Sequence, residues 1–210
     1  MAENSRAMTV WDKPARFVTD TGEVTLTLSQ IKNFVARGSK DITFQEAVGF
    51  LQLCKFNRLN PFVGDAFLVK YGQDPATMVT SKYAFAKRLK RASEVEGFKA
   101  GIVVGGRAEK EKLVYREGSL KLPGEELIGG WAEVYLKNWK FPVRVEVGFD
   151  EYVGTKKDGS VTAMWRNKPA TMIRKVAYVQ AIREALPDVF GGLYSQEEIP
   201  GAEDLTPPTG

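Results

Sequence analysis

The chain has 210 residues, 43% of them hydrophobic, and 30 Lys and Arg against 26 Asp and Glu give it a formal charge of +4. That length and apolar content suffice for one domain, or one domain plus an appendage. Histidine is absent and Cys54 is the single cysteine, which removes Cys/His zinc sites, internal disulfides and every triad that needs an imidazole.

The charge is unevenly spread. Residues 195–210 hold Glu197, Glu198, Glu203 and Asp204 and no Lys or Arg, so residues 1–194 carry +8. A basic body with an acidic end points to a polyanionic partner. No apolar run approaches the ~20 residues needed to span a bilayer, and residues 1–10 lack a signal-peptide core, so no membrane contact and a reducing cytosolic setting are expected.

Residues 1–26 are polar and mixed and read as an N-terminal arm, ahead of a body at 27–194 and a tail at 195–210. Thr27-Leu28-Ser29-Gln30 has the form of a capping box, opening a helix that should end near Gly38. Thr43-Phe44-Gln45-Glu46 is a second box, and its helix carries Phe44, Ala47, Val48, Leu51 and Cys54 at helical spacing. Cys54 is therefore expected to pack as a small hydrophobe. Phe67 to Tyr71 and Thr77 to Thr80 read as a hairpin around Gly72 to Ala76. Ser81 then caps a basic helix from Lys82 to Arg91, with Phe85 and Leu89 inward and Lys87, Arg88, Lys90 and Arg91 spread over the other side.

From Phe98 the period changes to two. Phe98 to Val104, Lys112 to Arg116, Leu127 to Lys137 and Lys140 to Phe149 read as strands, the last two joined by a tight turn at Asn138-Trp139. Gly105 to Lys112 should protrude from a hairpin, and Lys156-Lys157-Asp158-Gly159 should turn the chain into its last long helix. Pro169 suits a first helical position and Pro187 cannot continue a helix, leaving about five turns between them. At 100° per residue, Met172, Val176, Val179, Ile182 and Leu186 share one arc. Arg174 falls roughly opposite it, and Lys175 and Arg183 lie at about 300° and 20°. Ala177, Ala181 and Ala185 make a second face that another surface can approach closely. The fold class is α+β: helices and a small hairpin, then an antiparallel β meander followed by a long helix. Residues 195–210, with Pro207-Pro208, read as an acidic Pro/Gly-rich linker or tail.

The start of the long helix carries the chemistry. Arg166 and Lys168 flank a helix N-terminus whose N–H groups and dipole favour an anion, so a phosphate is the natural occupant, with Arg174 and Lys175 adding to the bank. The plainer reading is a solvated basic turn beside a core tryptophan, Trp165. Lys82, Lys87 and Arg91 form a second candidate bank for backbone phosphates, although a charge run of this kind is commonly just a solvated face. Gly101 to Ala108 has the glycine spacing of a nucleotide-binding loop, but Arg107 and Ala108 stand where Lys and Ser or Thr are required, and no helix follows. The adjacent acidic pairs Glu125-Glu126 and Asp150-Glu151 lack a third carboxylate at a telling spacing, so metal-dependent cleavage is unsupported.

Pro169-x-x-Met172-Ile173-Arg174-Lys175, then Gln180-Ala181-x-Arg183-x-Ala185, then Gly192-Leu193-Tyr194-Ser195-x-Glu197-Glu198 closely resemble the bacteriophage single-strand annealing recombinases of the RecT/Redβ family. Leu59-Asn60-Pro61, followed by the Phe67 to Tyr71 strand, resembles that family's earlier block, and the likeness runs from about Thr27 to Glu198. The family is similar in core topology to the eukaryotic Rad52 annealing proteins, so the resemblance implies a Rad52-like annealing fold. It implies a phage or prophage protein of the bacterial cytoplasm that is not an enzyme. Such a protein coats single-stranded DNA as a ring or helical filament and pairs it with a complementary strand in homologous recombination. It needs no ATP or other cofactor, with Mg²⁺ at most modulating DNA binding. The implied partners are single-stranded DNA, the annealed duplex, other copies of the chain, a 5′→3′ exonuclease and the host single-strand-binding protein. The last two are usually engaged through a C-terminal domain that would begin where the acidic tail stands.

An annealing protein must hold phosphates and leave base edges open to a second strand. Arg166, Lys168, Arg174 and Lys175 are expected to do so, with Lys82, Lys87 and Arg91 as the second bank. Arg183 either joins them or pairs with Glu184 of a neighbouring subunit. Trp165 and Trp139 are expected to pack in the core rather than stack on bases. The competing readings are an oligomeric single-strand-binding protein that does not anneal, and a nuclease or other DNA enzyme.

Overall fold

A computed structural model of the chain describes residues 9–106, 112–156, 158–190, 193–195 and 198. Its contacts divide the chain into two compact units, Met1–Ser81 and Lys82–Gly210.

The first unit begins with a hairpin where the sequence reading expects an arm. β1 (Ala15–Thr19) pairs antiparallel with β2 (Gly22–Leu26). Phe17, Thr19, Val24 and Leu26 are the buried residues of the pair, an alternation too short to stand out against its polar neighbours. Gly22, at φ +121°, supplies the turn conformation that other residues resist. The Thr27 capping box forms, with the Thr27 side chain accepting from the Gln30 N–H and Gln30 accepting from the Thr27 N–H. The helix it opens is shorter than expected. α1 (Leu28–Gln30) runs on as a wide π turn, Ile31–Val35, and the chain then extends into β3 (Ala36–Gly38), parallel to β4 (Ala66–Lys70). Pairing with a buried strand captures these residues, so Gly38 closes a strand and not a helix.

α2 (Phe44–Phe56) opens on the second capping box and buries Ala47, Phe50 and Cys54. Phe44, expected on the core face, is 43% exposed and meets the Trp11 ring edge-on at 5.9 Å. Phe50 fills the core in its place. β4 and β5 (Thr77–Thr80) form the expected hairpin. The Lys70 ammonium, on β4, donates to both Glu46 oxygens at 2.9 Å.

The second unit is a four-stranded antiparallel sheet with a helix against it. α3 (Lys82–Arg91) leads into β6 (Val95–Gly106), β7 (Leu113–Glu117), β8 (Glu125–Leu136) and β9 (Val143–Gly148), in the sheet order β7-β6-β8-β9. The β8–β9 turn places Asn138 at φ +64°, a conformation asparagine tolerates. Phe149 leaves the strand register to start α4 (Phe149–Tyr152), and its ring meets Trp165 edge-on at 5.8 Å. The 156–159 turn forms, Gly159 donating to the Lys156 carbonyl at 2.9 Å. The expected protrusion falls largely on 107–111, outside the described residues.

α5 (Ala163–Asn167) and α6 (Pro169–Ala185) are separate helices, broken at Lys168, followed by α7 (Pro187–Phe190). Met172, Ile173, Val176, Ala177, Val179, Ala181, Ile182 and Leu186 are buried, so α6 is contacted nearly all round. Its small-residue side is where β8 comes closest: a Cβ on Gly130 would sit 2.6 Å from the Ile173 carbonyl oxygen and 3.3 Å from the Ala177 Cβ. Trp165 is buried as expected, but Trp139, in the turn between β8 and β9, is 64% exposed.

Most of the expected tail, 199–210, lies outside the described residues. Ser195 and Glu198, at its start, are instead built into the second unit. Arg183 donates to both Glu198 oxygens at 3.1 and 2.5 Å and to the Leu193 carbonyl at 3.1 Å, and Glu198 accepts from the Ser195 N–H at 2.9 Å.

Candidate nucleic-acid interface

β7 pairs with β6 only from Gly101 to Gly105, so the first half of β6, from Val95 to Lys99, is paired on its β8 side alone. α3 is held nearby by its inward face, where Phe85 stacks on Phe190 at 5.4 Å with rings 9° apart and the Arg88 guanidinium lies 5.6 Å from the same ring. The result is a furrow bounded by α3, the uncovered half of β6 and one side of α6.

At one end the furrow is cationic. A recess of about 250 Å³ is lined by Lys82, Tyr83 and Ala86 from α3, Phe98 from β6, and Thr171, Arg174, Lys175 and Tyr178 from α6. On α6 these four side chains occupy an arc of about 200° to 300° measured from Met172. Arg174 is half-buried and fixed, its Nε donating to the Ala100 carbonyl at 3.1 Å. The Lys82 ammonium lies 4.9 Å from the Tyr83 ring centre. Burial pushes the Tyr178 hydroxyl up to about 12, against the opposing pull of Arg174, so it stays a neutral donor.

The expected cations separate into four groups. Lys82, Arg174 and Lys175 come together in the recess, uniting one member of the α3 bank with two of the α6 bank. Arg166 and Lys168 are exposed around the start of α6, where Lys168 is the N-cap residue and no side chain caps the helix. Lys87 and Arg91 turn away: at 100° per residue they lie about 140° and 180° round α3 from Lys82. Neither lines the recess. Arg183 is engaged internally. Burial lowers its basicity, but the Glu198 carboxylate outweighs this and raises it, and its guanidinium also covers the Tyr194 ring at 4.9 Å. Glu184, offered as its alternative partner, is exposed.

Sequence reasoning missed Phe98, Tyr178 and Ala86. In the sequence Phe98 stands out only as a strand start, whereas Tyr178 lies one helical turn beyond Arg174 and therefore on the same side, the one signal that could have found it. Among the described residues there is no group of three or more His, Cys, Asp or Glu side chains placed to hold a metal, and no helix is long and apolar enough to cross a membrane.

Residues 21–209 match the model of the RecT family. A protein of Ureaplasma parvum described as uncharacterized, UU154, is 24% identical over 177 residues, which cover 80% of this chain and 70% of that protein.

Proposed function

The chain belongs to the RecT family, and from that premise we propose that it is an ATP-independent protein that oligomerises on single-stranded DNA and pairs it with a complementary strand. The family is one of single-strand annealing proteins of phage-type recombination, not of classical enzymes. The observation that carries the finer reading is the convergence of Lys82, Arg174 and Lys175 on one recess. Three cations from two helices face a space of nucleotide size, and none is a base-reading side chain in a preset pairing geometry. Such a site grips phosphates and leaves pairing edges free. Arg166 and Lys168 extend the cationic track around the start of α6, where the helix dipole adds to the attraction.

The meander β6–β9 followed by α6 supports grouping the second unit with the Rad52-like annealing folds. Mg²⁺ acts in this reading only by screening phosphates. The exonuclease and the host single-strand-binding protein are proposed as partners engaged outside the furrow.

The test is strand annealing without nucleotide, adding two complementary oligonucleotides in succession to the intact chain, to Arg174→Ala and to Lys175→Ala. Acceleration by the intact chain, lost in folded variants, is expected. Binding without acceleration by the intact chain would replace annealing with a single-strand-binding role, and strand cleavage in Mg²⁺ would replace both.

A further inference from the structure

The cationic recess does not end at Phe98. That residue also lines an adjoining recess of about 420 Å³ that shares Ala86 and Tyr178 with the first. Phe98 is thus the common wall of one continuous furrow, and it stands 46% exposed in it. It is also rigid. Its backbone is held in the β6–β8 ladder opposite Val134, and Tyr178 backs its ring, with centroids 4.8 Å apart and planes 51° apart.

The charge in the furrow lies mainly at one end. Lys82, Arg174 and Lys175 mark that end, whereas Lys99, the strand neighbour of Phe98, projects from the opposite face of the sheet, its ammonium 6.0 Å from the Tyr135 ring centre. Beyond the three cations the lining is apolar apart from Lys90 and Glu96, whose opposite charges offset one another for a phosphate there. A strand whose backbone is held at the cationic end therefore has its uncharged, flat parts to present to Phe98. An unpaired base has that shape, and stacking on an aromatic ring accepts any of the four bases.

We propose that Phe98, backed by Tyr178, is a stacking platform for an unpaired base of the single strand held in the furrow. This deepens the annealing reading and rests on it. The platform makes the furrow sense bases as well as phosphates, and so prefers a single strand whose bases are unpaired. Phe98 is then a determinant of specificity, distinct from the phosphate contacts at Lys82, Arg174 and Lys175.

The experiment compares the intact chain, Phe98→Leu, Phe98→Ala and Phe98→Trp for binding to a dT oligonucleotide and to an abasic strand of the same length and charge, across a range of salt. The intact chain should prefer dT by about 5- to 160-fold, the span expected for one stacked base. Phe98→Leu keeps an apolar side chain of similar bulk, so it should remain folded while losing the preference, with the salt dependence unchanged. Phe98→Trp should restore the preference and lose indole fluorescence on binding dT but not on binding the abasic strand.

Equal binding of both strands by the intact chain overturns the platform and leaves the phosphate grip standing. Full retention of the preference by Phe98→Leu does the same. Failure of the intact chain to bind either strand overturns the annealing reading and the platform with it. Should Phe98→Ala unfold, the intact chain and Phe98→Leu still decide the matter.

Discussion

Glu46 closes the capping box of α2 by accepting from the Thr43 N–H at 2.8 Å, receives the buried Lys70 ammonium and accepts from the Ala76 N–H at 2.8 Å. Burial pushes its carboxyl up, but these hydrogen bonds together hold it down at about 2, against an ordinary 4.5. A depressed carboxyl contributes stability that is present above its unfolded value and lost as pH falls towards the folded one. The first unit should therefore lose stability between pH 4.5 and 2. Lys70→Met should flatten that dependence and cost about 3 kcal/mol at neutral pH, read by urea unfolding, because it strands a half-buried carboxylate. In the furrow, Lys175→Ala should reduce the slope of log K against log salt for single strands by about 0.7. Arg174→Ala should reduce the slope equally and also cost about 1 kcal/mol of stability, since it abandons the Ala100 carbonyl. That Arg174 and Lys175 lie on one long helix is legible in the sequence from its two prolines. The separation of Lys82 from Lys87 and Arg91 needs the direction in which α3 docks, and the loss of Arg183 to Glu198 needs the return of a distant segment.

At the scale of elements, the sequence declares what local chemistry decides. Both capping boxes, the β4–β5 hairpin, the meander order and the Pro169 start of α6 all follow from side chains within a few residues of the event. It conceals what tertiary contact decides. β3 is three residues taken from a helical continuation by pairing with β4, and the β1–β2 hairpin has only two buried positions per strand to announce it. The approach of β8 to α6 lies between these cases. The alanines of α6 mark a close surface, but nothing local names Gly130 as its counterpart. Gly130→Ala should cost about 1–3 kcal/mol, because the added methyl meets the Ile173 carbonyl and the helix must lift off the sheet. Differential scanning calorimetry of the variant would measure it. Gly97→Ala, in open space on the same sheet, is the control and should cost far less.

For the whole molecule, the charge excess resides in the second unit. Residues 82–194 hold 21 basic and 14 acidic side chains, whereas residues 1–81 hold 9 and 8. Long-range attraction of a polyanion therefore acts mainly on the unit that carries the furrow. Hydrogen exchange on the DNA-bound chain should slow the amides of α3, the first half of β6 and the first turns of α6 most. If about four cations per chain meet phosphates, the salt slope on single strands should be roughly −3 per bound chain, steeper where copies assemble cooperatively. A slope near zero would place the binding energy elsewhere.

The lone cysteine supplies one further consequence. Cys54 is fully buried in α2, and burial, reinforced by the Asp65 charge, pushes its thiol up to about 12. Thiolate chemistry is thereby silenced while α2 remains docked. The native chain carries its own stopwatch: where reaction outruns reclosing, the rate at which a thiol reagent consumes this sulfur is the rate at which the protein opens around it. A cysteine introduced at any exposed position would take a dye while Cys54 stays dark.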